Sequence, residues 1–269
     1  MKLSELVARL SSAGIGEAEA EARILFSHFG GFSPASLFGQ DPSFSSGALE
    51  EAALRRTARE PLAYILGEAP FYRSILKVTP DCLIPRADTE RLCELAIERL
   101  PRGARFCDLC TGSGAIAVTV LSERPDTTAH ALDISPAAIA VAEENARRLG
   151  VLDRLSLSLG DVFSDASLPQ GPFNAILSNP PYIESGVLPT LSPEVASEPR
   201  IALDGGEDGL RFYRRILTLA DRLSPGGFLL LECGYDQEAG MAALSADAGL
   251  SFSPYYDYGG NFRCALLTR

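Results

Sequence analysis

No stretch of this 269-residue chain is apolar for long enough to span a bilayer, which argues against a helical membrane protein. The opening, Met1 to Leu10, sets Leu3, Leu6, Val7 and Leu10 on one helical face and lacks the continuous apolar core of a signal peptide. Cysteine is sparse as well. The six residues, Cys82, Cys93, Cys107, Cys110, Cys233 and Cys264, do not form paired metal-ligand clusters, and a reducing cytoplasm is the expected compartment. Cys107 and Cys110 make a lone C-x-x-C; with no second pair and no nearby histidine, zinc is not expected, and both read as small buried residues at a strand end. His28 and His130 stand isolated in apolar segments and read as core or surface side chains. A basic excess is also missing, since 24 Lys and Arg face 35 Asp and Glu for a net charge of −11. Residues 1–85 hold 8 basic and 10 acidic groups, leaving 16 and 25 for the rest. Phosphate neutralisation drives affinity for free DNA or RNA, so no direct nucleic-acid partner is expected; a small cation or a protein with a basic surface suits the charge better.

What is present is a composition able to bury a substantial core, 46% hydrophobic and 22% charged. The length suggests one large or two unequal domains. Residues 1–70 read as a small helical domain, with helical faces at the start, over 17–29 and over 48–59, separated by Gly14, Gly30-Gly31 and the 39–47 stretch. Residues 71–85 change to strand-type composition broken by Pro80-Asp81, a hairpin joining two domains. From 86 to 269 strands alternate with helices, the pattern of an α/β fold with a mostly parallel sheet covered on both faces. Strands are predicted at 105–109, 128–133, 155–159, 173–178, 227–233, near 252–256 and at 262–268. Helices follow Asp88 or Thr89, run from Ser135-Pro136 to Gly150, and cover 207–223.

Asn179-Pro180-Pro181-Tyr182 follows a short apolar run that reads as a buried strand, so it sits where open α/β sheets bind ligands. Two prolines remove two backbone donors and leave a stiff, extended exit with carbonyls able to accept hydrogen bonds. Asn179 offers an amide oxygen, the Pro180 carbonyl a second acceptor, and Tyr182 an aromatic face for a flat amide or base. A rigid turn without chemistry is the bland alternative. After the 105–109 strand comes Asp108-Leu109-Cys110-Thr111-Gly112-Ser113-Gly114, whose glycines allow a sharp turn and close ligand approach at a helix N-terminus. Asp133 lies 21 residues beyond Gly112 and can accept both ribose hydroxyls of an adenosine, while Gly160-Asp161-Val162 can flank the adenine. Gly112-x-Gly114-x-x-Ala117 also satisfies the loose dinucleotide fingerprint, so this segment alone does not separate NAD from other adenosine cofactors.

Three features favour S-adenosyl-L-methionine: Asp108 before the glycines, a sheet continuing to a terminal 262–268 strand, and Asn179-Pro180-Pro181-Tyr182 at the end of the fourth strand. Together they resemble the class I (Rossmann-like) methyltransferases that modify a conjugated NH2 nitrogen. The likeness narrows with Pro61 to Glu68, Phe71-Tyr72, Leu83 to Glu90, Glu198 to Leu203 and Gly206 to Leu210, which resemble the HemK family of release-factor glutamine N5-methyltransferases over nearly the whole chain. The resemblance implies a front domain that helps recognise a peptide chain release factor, and as substrate the glutamine of its Gly-Gly-Gln loop. It implies cofactor contacts from Thr111, Gly112, Ser113, Gly114, Asp133 and Asn179 and substrate contacts from Asn179, Pro180, Pro181 and Tyr182; Cys110, Asp161 and Val162 are further cofactor-binding candidates, Asn179, Pro180 and Tyr182 the catalytic candidates, and a monomeric protein without a metal is expected. Cys110 stands where many relatives carry the first glycine, and Val162 where some carry an aromatic residue.

An amide nitrogen is a poor nucleophile, so such a site must supply geometry more than base strength; two acceptors would also stabilise positive character growing on nitrogen. Rival readings are an adenine-N6 DNA methyltransferase, which can share the tetrapeptide but is opposed by the charge, glutamine methylation of a ribosomal protein, an NAD-linked dehydrogenase, and a non-catalytic protein that docks a translation factor. Glu198 to Gly209 reads either as part of a lid or as a surface connection.

Overall fold

The computed structural model describes residues 1–269. They separate into two units, Met1–Gly67 with Ser192–Ser197, and Glu68–Leu191 with Glu198–Arg269. The first unit is helical, with α1 (Leu3–Ser12), α2 (Ala18–Gly30), α3 (Gly47–Thr57) and the short α4 (Leu62–Leu66). The spacing of Leu3, Leu6 and Leu10 turns all three inward, where they meet Leu25, Phe26, Leu37 and Leu49. Ser46 caps α3 by accepting from Leu49 N at 3.1 Å. Arg56 is buried in this unit and held by Glu21 at 2.6 Å and by Glu194 at 3.0 Å, the latter on a single helical turn, Pro193–Ala196. Arg59 reaches the same Glu194 at 2.6 Å. Two carboxylates thus compensate a desolvated guanidinium, which would otherwise be costly.

The second unit runs β1 (Glu68–Phe71), β2 (Ser74–Lys77), α5 (Ala87–Arg99), β3 (Arg105–Leu109), α6 (Ala115–Glu123), β4 (Thr128–Asp133), α7 (Pro136–Arg148), β5 (Leu155–Leu159), β6 (Phe173–Ser178), β7 (Ile183–Glu184), β8 (Asp204–Gly206), β9 (Leu223–Glu232), β10 (Ser251–Tyr256) and β11 (Phe262–Thr268). Seven strands form one sheet in the order β10-β11-β9-β6-β3-β4-β5, parallel from β9 to β5 and antiparallel at β11 and β10. Apolar runs in β3 and β6 are buried on both faces, as a sheet covered by helices requires. β3 is flanked by β4 on one side and β6 on the other, so the chain's direction of winding reverses between β3 and β6 and opens a crevice at their carboxyl ends.

Several expectations need revision. The β1–β2 hairpin, expected to join two domains, is an integral part of the second unit: Phe71 and Leu76 are buried with Leu92, Phe106 and Val118, and Asn145 of α7 pairs with both Lys77 N and Lys77 O. The helix expected over 207–223 is confined to Arg211–Leu217, followed by a 3₁₀ turn at Thr218–Arg222. Gly206 and Gly209 hold φ of 93° and 69°, which ends any helix before it starts there. The strand expected from 227 begins at Leu223, because Leu223 already pairs with Phe173. A helix at Glu238–Asp247 carried no clear pattern in the sequence. No helix is long and apolar enough to cross a membrane.

Candidate active site

Leu109 and Ser178 are register partners at the ends of β3 and β6, and Ser178 Oγ donates to Leu109 O at 2.6 Å. The two segments that follow, Cys110 to Gly114 and Asn179 to Tyr182, therefore leave the sheet side by side. Cys110 turns the corner with φ of 58°, a left-handed conformation that costs a side chain some strain and that glycine adopts freely. Gly112, at φ 56°, has open space where a Cβ would be, so ligand atoms can approach its backbone. Gly114 differs: a Cβ there would meet Ala142 Cβ at 3.0 Å, so its bareness lets α6 pack on α7.

Asp108 anchors the turn from beneath. It is fully buried; its Oδ2 accepts from Thr111 Oγ1 at 2.6 Å and from Ala117 N at 3.3 Å, while Oδ1 has no partner. Burial pushes its carboxyl up to about 7, against the pull of those two donors. Asp133 closes β4 next door. Its Oδ2 accepts from Gly112 N at 2.8 Å and its Oδ1 from Ser135 N at 2.9 Å, so the ribose-type acid and the glycine turn are one hydrogen-bonded assembly. Burial raises its carboxyl above the ordinary value, and the backbone donors of Ser135, Gly112 and Ile134 oppose the rise.

A cavity of about 240 Å³ runs along these strand ends. Cys110, Thr111, Gly112, Ser113, Asp133, Asp161, Val162, Asn179 and Pro181 all border it; Gly114, Pro180 and Tyr182 do not. Asn179 Nδ2 donates to Thr89 Oγ1 at 3.1 Å, which leaves its Oδ1 without a partner in the protein. The Pro180 carbonyl likewise makes no backbone hydrogen bond. Tyr182 departs from expectation: its ring packs on the core around Leu231 and Tyr213, and its hydroxyl points to Glu232 Oε1 at 3.4 Å. The turn after it is held by Gln237, whose Nε2 donates to Tyr182 O at 3.0 Å.

Sequence reasoning missed part of the wall. Leu83 and Pro85 border the cavity from the segment leading into α5 and Thr89 from its first turn, and Ile134, Phe163 and Arg211 border it elsewhere. Arg211 stacks over Phe163 at 4.5 Å, and Phe163 meets Phe212 edge-on at 5.1 Å. Phe163 adjoins Val162, where an aromatic residue was noted as missing, and that was the available signal. Of the 198–209 segment, Pro199, Ile201 and Ala202 border the cavity, while β8 pairs with β7. A Cβ on Gly205 would stand 2.6 Å from Tyr182 Cα, so this segment lies directly against the Asn-Pro-Pro-Tyr turn. Cys107 is buried in the core, and His130 pairs with Ser158 at 2.7 Å in the sheet.

The arrangement joins an acid suited to a ribose, a bare backbone turn, an apolar wall and one unpaired amide oxygen. Residues 89–195 match the family described as the methyltransferase small domain, and residues 2–67 match the PrmC N-terminal domain. A methyltransferase of Pyrococcus furiosus is similar in fold, with a TM-score of 0.53 at 20% identity over 71% of this chain and 86% of that one. The chain is 45% identical to the release factor glutamine methyltransferase of Cereibacter sphaeroides, over 93% of this chain and 90% of the relative. It is 40% identical to the protein of the same name from Moorella thermoacetica, over 99% of this chain and 97% of that relative. Matched along nearly its whole length to proteins whose length it shares, the chain belongs to the release factor glutamine methyltransferase family.

Proposed function

We propose that this protein transfers a methyl group from S-adenosyl-L-methionine to the side-chain amide nitrogen of the glutamine in the Gly-Gly-Gln motif of a peptide chain release factor. The observation that carries the reading is Asn179: its NH2 is tied to Thr89, its Oδ1 has no partner in the protein, and the residue borders the same cavity as Asp133 and Gly112. The relatives from Cereibacter sphaeroides and Moorella thermoacetica are release factor glutamine methyltransferases, which supports the same substrate class here. The net charge of −11 suits a basic protein surface and opposes free nucleic acid.

When bound, the cofactor supplies an electrophilic methyl carbon on a positively charged sulfur. The residues fit an adenosine group: Asp133 retains lone pairs for ribose hydroxyls, Gly112 exposes backbone, and Ile134, Val162 and Phe163 give an apolar wall. Toward the substrate, Asn179 Oδ1 accepts one amide N–H, and the Pro180 carbonyl, free of backbone partners and set between the cavity-lining Asn179 and Pro181 though not itself on the wall, accepts the other. Such a grip would hold the nitrogen ready for displacement at the methyl carbon the cofactor supplies, and orientation of this kind can contribute on the order of 7 to 11 kcal/mol. The two oxygens would also stabilise the positive charge growing on nitrogen as the carbon–sulfur bond breaks, a charge removed when one of the two N–H protons is lost to solvent. Tyr182 serves by locking the turn into the core rather than by stacking on the amide.

The test is peptide mass spectrometry of a purified release factor after incubation with this protein and S-adenosyl-L-methionine. One added methyl on the Gly-Gly-Gln glutamine, absent when that glutamine is replaced, is expected. An unmodified release factor, or methylation of a ribosomal protein instead, would overturn the reading.

A further inference from the structure

Two irregular segments of the second unit complete the cavity wall that the strand ends begin. Leu83 and Pro85 belong to one, between β2 and α5; Pro199, Ile201 and Ala202 belong to the other, between β7 and β8. Neither is part of the seven-stranded sheet. Glu198 joins them. Its Oε2 accepts from Ile84 N at 3.0 Å and its Oε1 from Arg86 Nη2, so both carboxylate oxygens are engaged. No other hydrogen bond joins residues 83–86 to residues 198–203.

The Glu198 side chain is 1% exposed, whereas that of Arg86 is 36% exposed. A buried carboxylate is costly unless it is paired and hydrogen-bonded, so this one is held to its partners on the neighbouring segment. Within its own segment the backbone closes on itself, with Ala202 N donating to Pro199 O at 2.8 Å and Leu203 N to Arg200 O at 3.0 Å. Ile201 in that turn borders the cavity and is still 54% exposed. An apolar side chain that lines a cavity and yet stands half in water marks a wall made of a surface turn, not of packed core.

We propose that Glu198 is a clasp: its bonds to Ile84 and Arg86 hold the 199–202 turn to the 83–86 segment at the rim of the cavity, and their release gates the passage of S-adenosyl-L-methionine. This rests on the reading of the cavity as the S-adenosyl-L-methionine site. Glu198 is a positioning residue, acting through two loops and not on the reacting atoms. One bond to a backbone N–H and one charge-assisted bond are few enough to break and re-form with loop motion, while the sheet beneath stays paired. A gate leaves a kinetic signature. Opening is needed for entry and for exit alike, so weakening the clasp speeds both and changes their ratio little. A side chain that only contacted the cofactor would act mainly on its dissociation.

The experiment measures both rates of S-adenosyl-L-methionine binding to the full-length protein by stopped flow and Kd by calorimetry, with hydrogen exchange at the Ile84 amide as a readout that needs no cofactor. In Glu198→Ala and in Arg86→Ala, association and dissociation are both expected to rise by roughly tenfold, with Kd within about threefold of wild type. Arg86→Lys, which keeps the cation, stays near the wild-type rates. The double variant Arg86→Ala with Glu198→Ala is no faster than Glu198→Ala alone, because both remove one link. The Ile84 amide exchanges faster in Glu198→Ala, while amides of β3 and β6 keep their protection. Glu198→Gln, which keeps the side-chain shape and loses its charge, moves both rates in the same direction and serves where Glu198→Ala fails to fold. Wild-type rates in these variants, or faster dissociation without faster association, would overturn the clasp while leaving the cofactor assignment intact. No binding of S-adenosyl-L-methionine to the wild-type protein would overturn the reading of the cavity, and the clasp with it.

Discussion

Both carboxylate oxygens of Asp133 already accept a backbone N–H, one from the glycine turn and one from the start of α7, so the residue organises the site before any ligand arrives. Removing it should weaken cofactor binding twice over. A charge-assisted hydrogen bond contributes about 1.5 to 3 kcal/mol, so Asp133→Ala is expected to raise the calorimetric Kd for S-adenosyl-L-methionine by roughly tenfold to a hundredfold. An unchanged Kd would remove Asp133 from the binding site. Asp133, the Cys110 to Gly114 turn and Asn179 were legible because each needs a specific residue type at the end of a recognisable strand. Tyr182 was half legible. Its place after two prolines was plain, but whether its ring faced ligand or core depended on Glu232 and Tyr213, which are 50 and 31 positions away in sequence. Thr89 stood in the sequence only as a helix start within the Leu83 to Glu90 likeness and Phe163 only as the neighbour of Val162, and Arg211 had no signal at all; the folded chain brings all three to one cavity.

Among the elements, the pair of short strands β7 and β8 bears directly on the Asn-Pro-Pro-Tyr turn. Ile183 N donates to Leu203 O at 3.0 Å and Ser185 N to Gly206 O at 2.8 Å, which ties the 198–209 segment to the Asn-Pro-Pro-Tyr turn. Gly205 permits that approach. Adding one methyl there forces the backbones of 205 and 182 apart, so Gly205→Ala is expected to displace the turn and lower kcat by about a hundredfold while the main sheet stays folded. Circular dichroism and turnover together check this; full activity would show that the turn tolerates displacement. The sheet strands at 105–109, 128–133, 155–159, 173–178 and 262–268 follow the expected bounds, since apolar runs between turn signals leave little choice. The 207–223 region did not, because two glycines at positive φ and an early strand pairing at Leu223 outweigh its helical composition.

At the scale of the whole molecule, the first unit carries an acid-sensitive device in Glu194. Hydrogen bonds from Arg59 pull its carboxyl down to about 2, with Arg56 adding to the shift. Because the folded value lies below the ordinary 4.5, the stabilisation is complete above about 4.5 and is lost as pH falls toward about 2. Glu194→Gln is expected to lower Tm at pH 7 and to flatten the decline of Tm over that window, measured by calorimetry; an unaltered profile would show that the pair contributes nothing to folding. The acidic excess has the opposite reach, outward to partners. It predicts that added salt weakens transfer to a basic protein substrate and reveals no tight DNA complex.

One paired measurement bears most directly on the account: turnover on a release factor and calorimetric cofactor affinity, both for Asn179→Ala. Loss of one of two amide acceptors should reduce kcat by about a thousandfold or more, while Kd for S-adenosyl-L-methionine changes only a few fold. Near-normal turnover in that variant would contradict a mechanism in which the substrate nitrogen is held by Asn179.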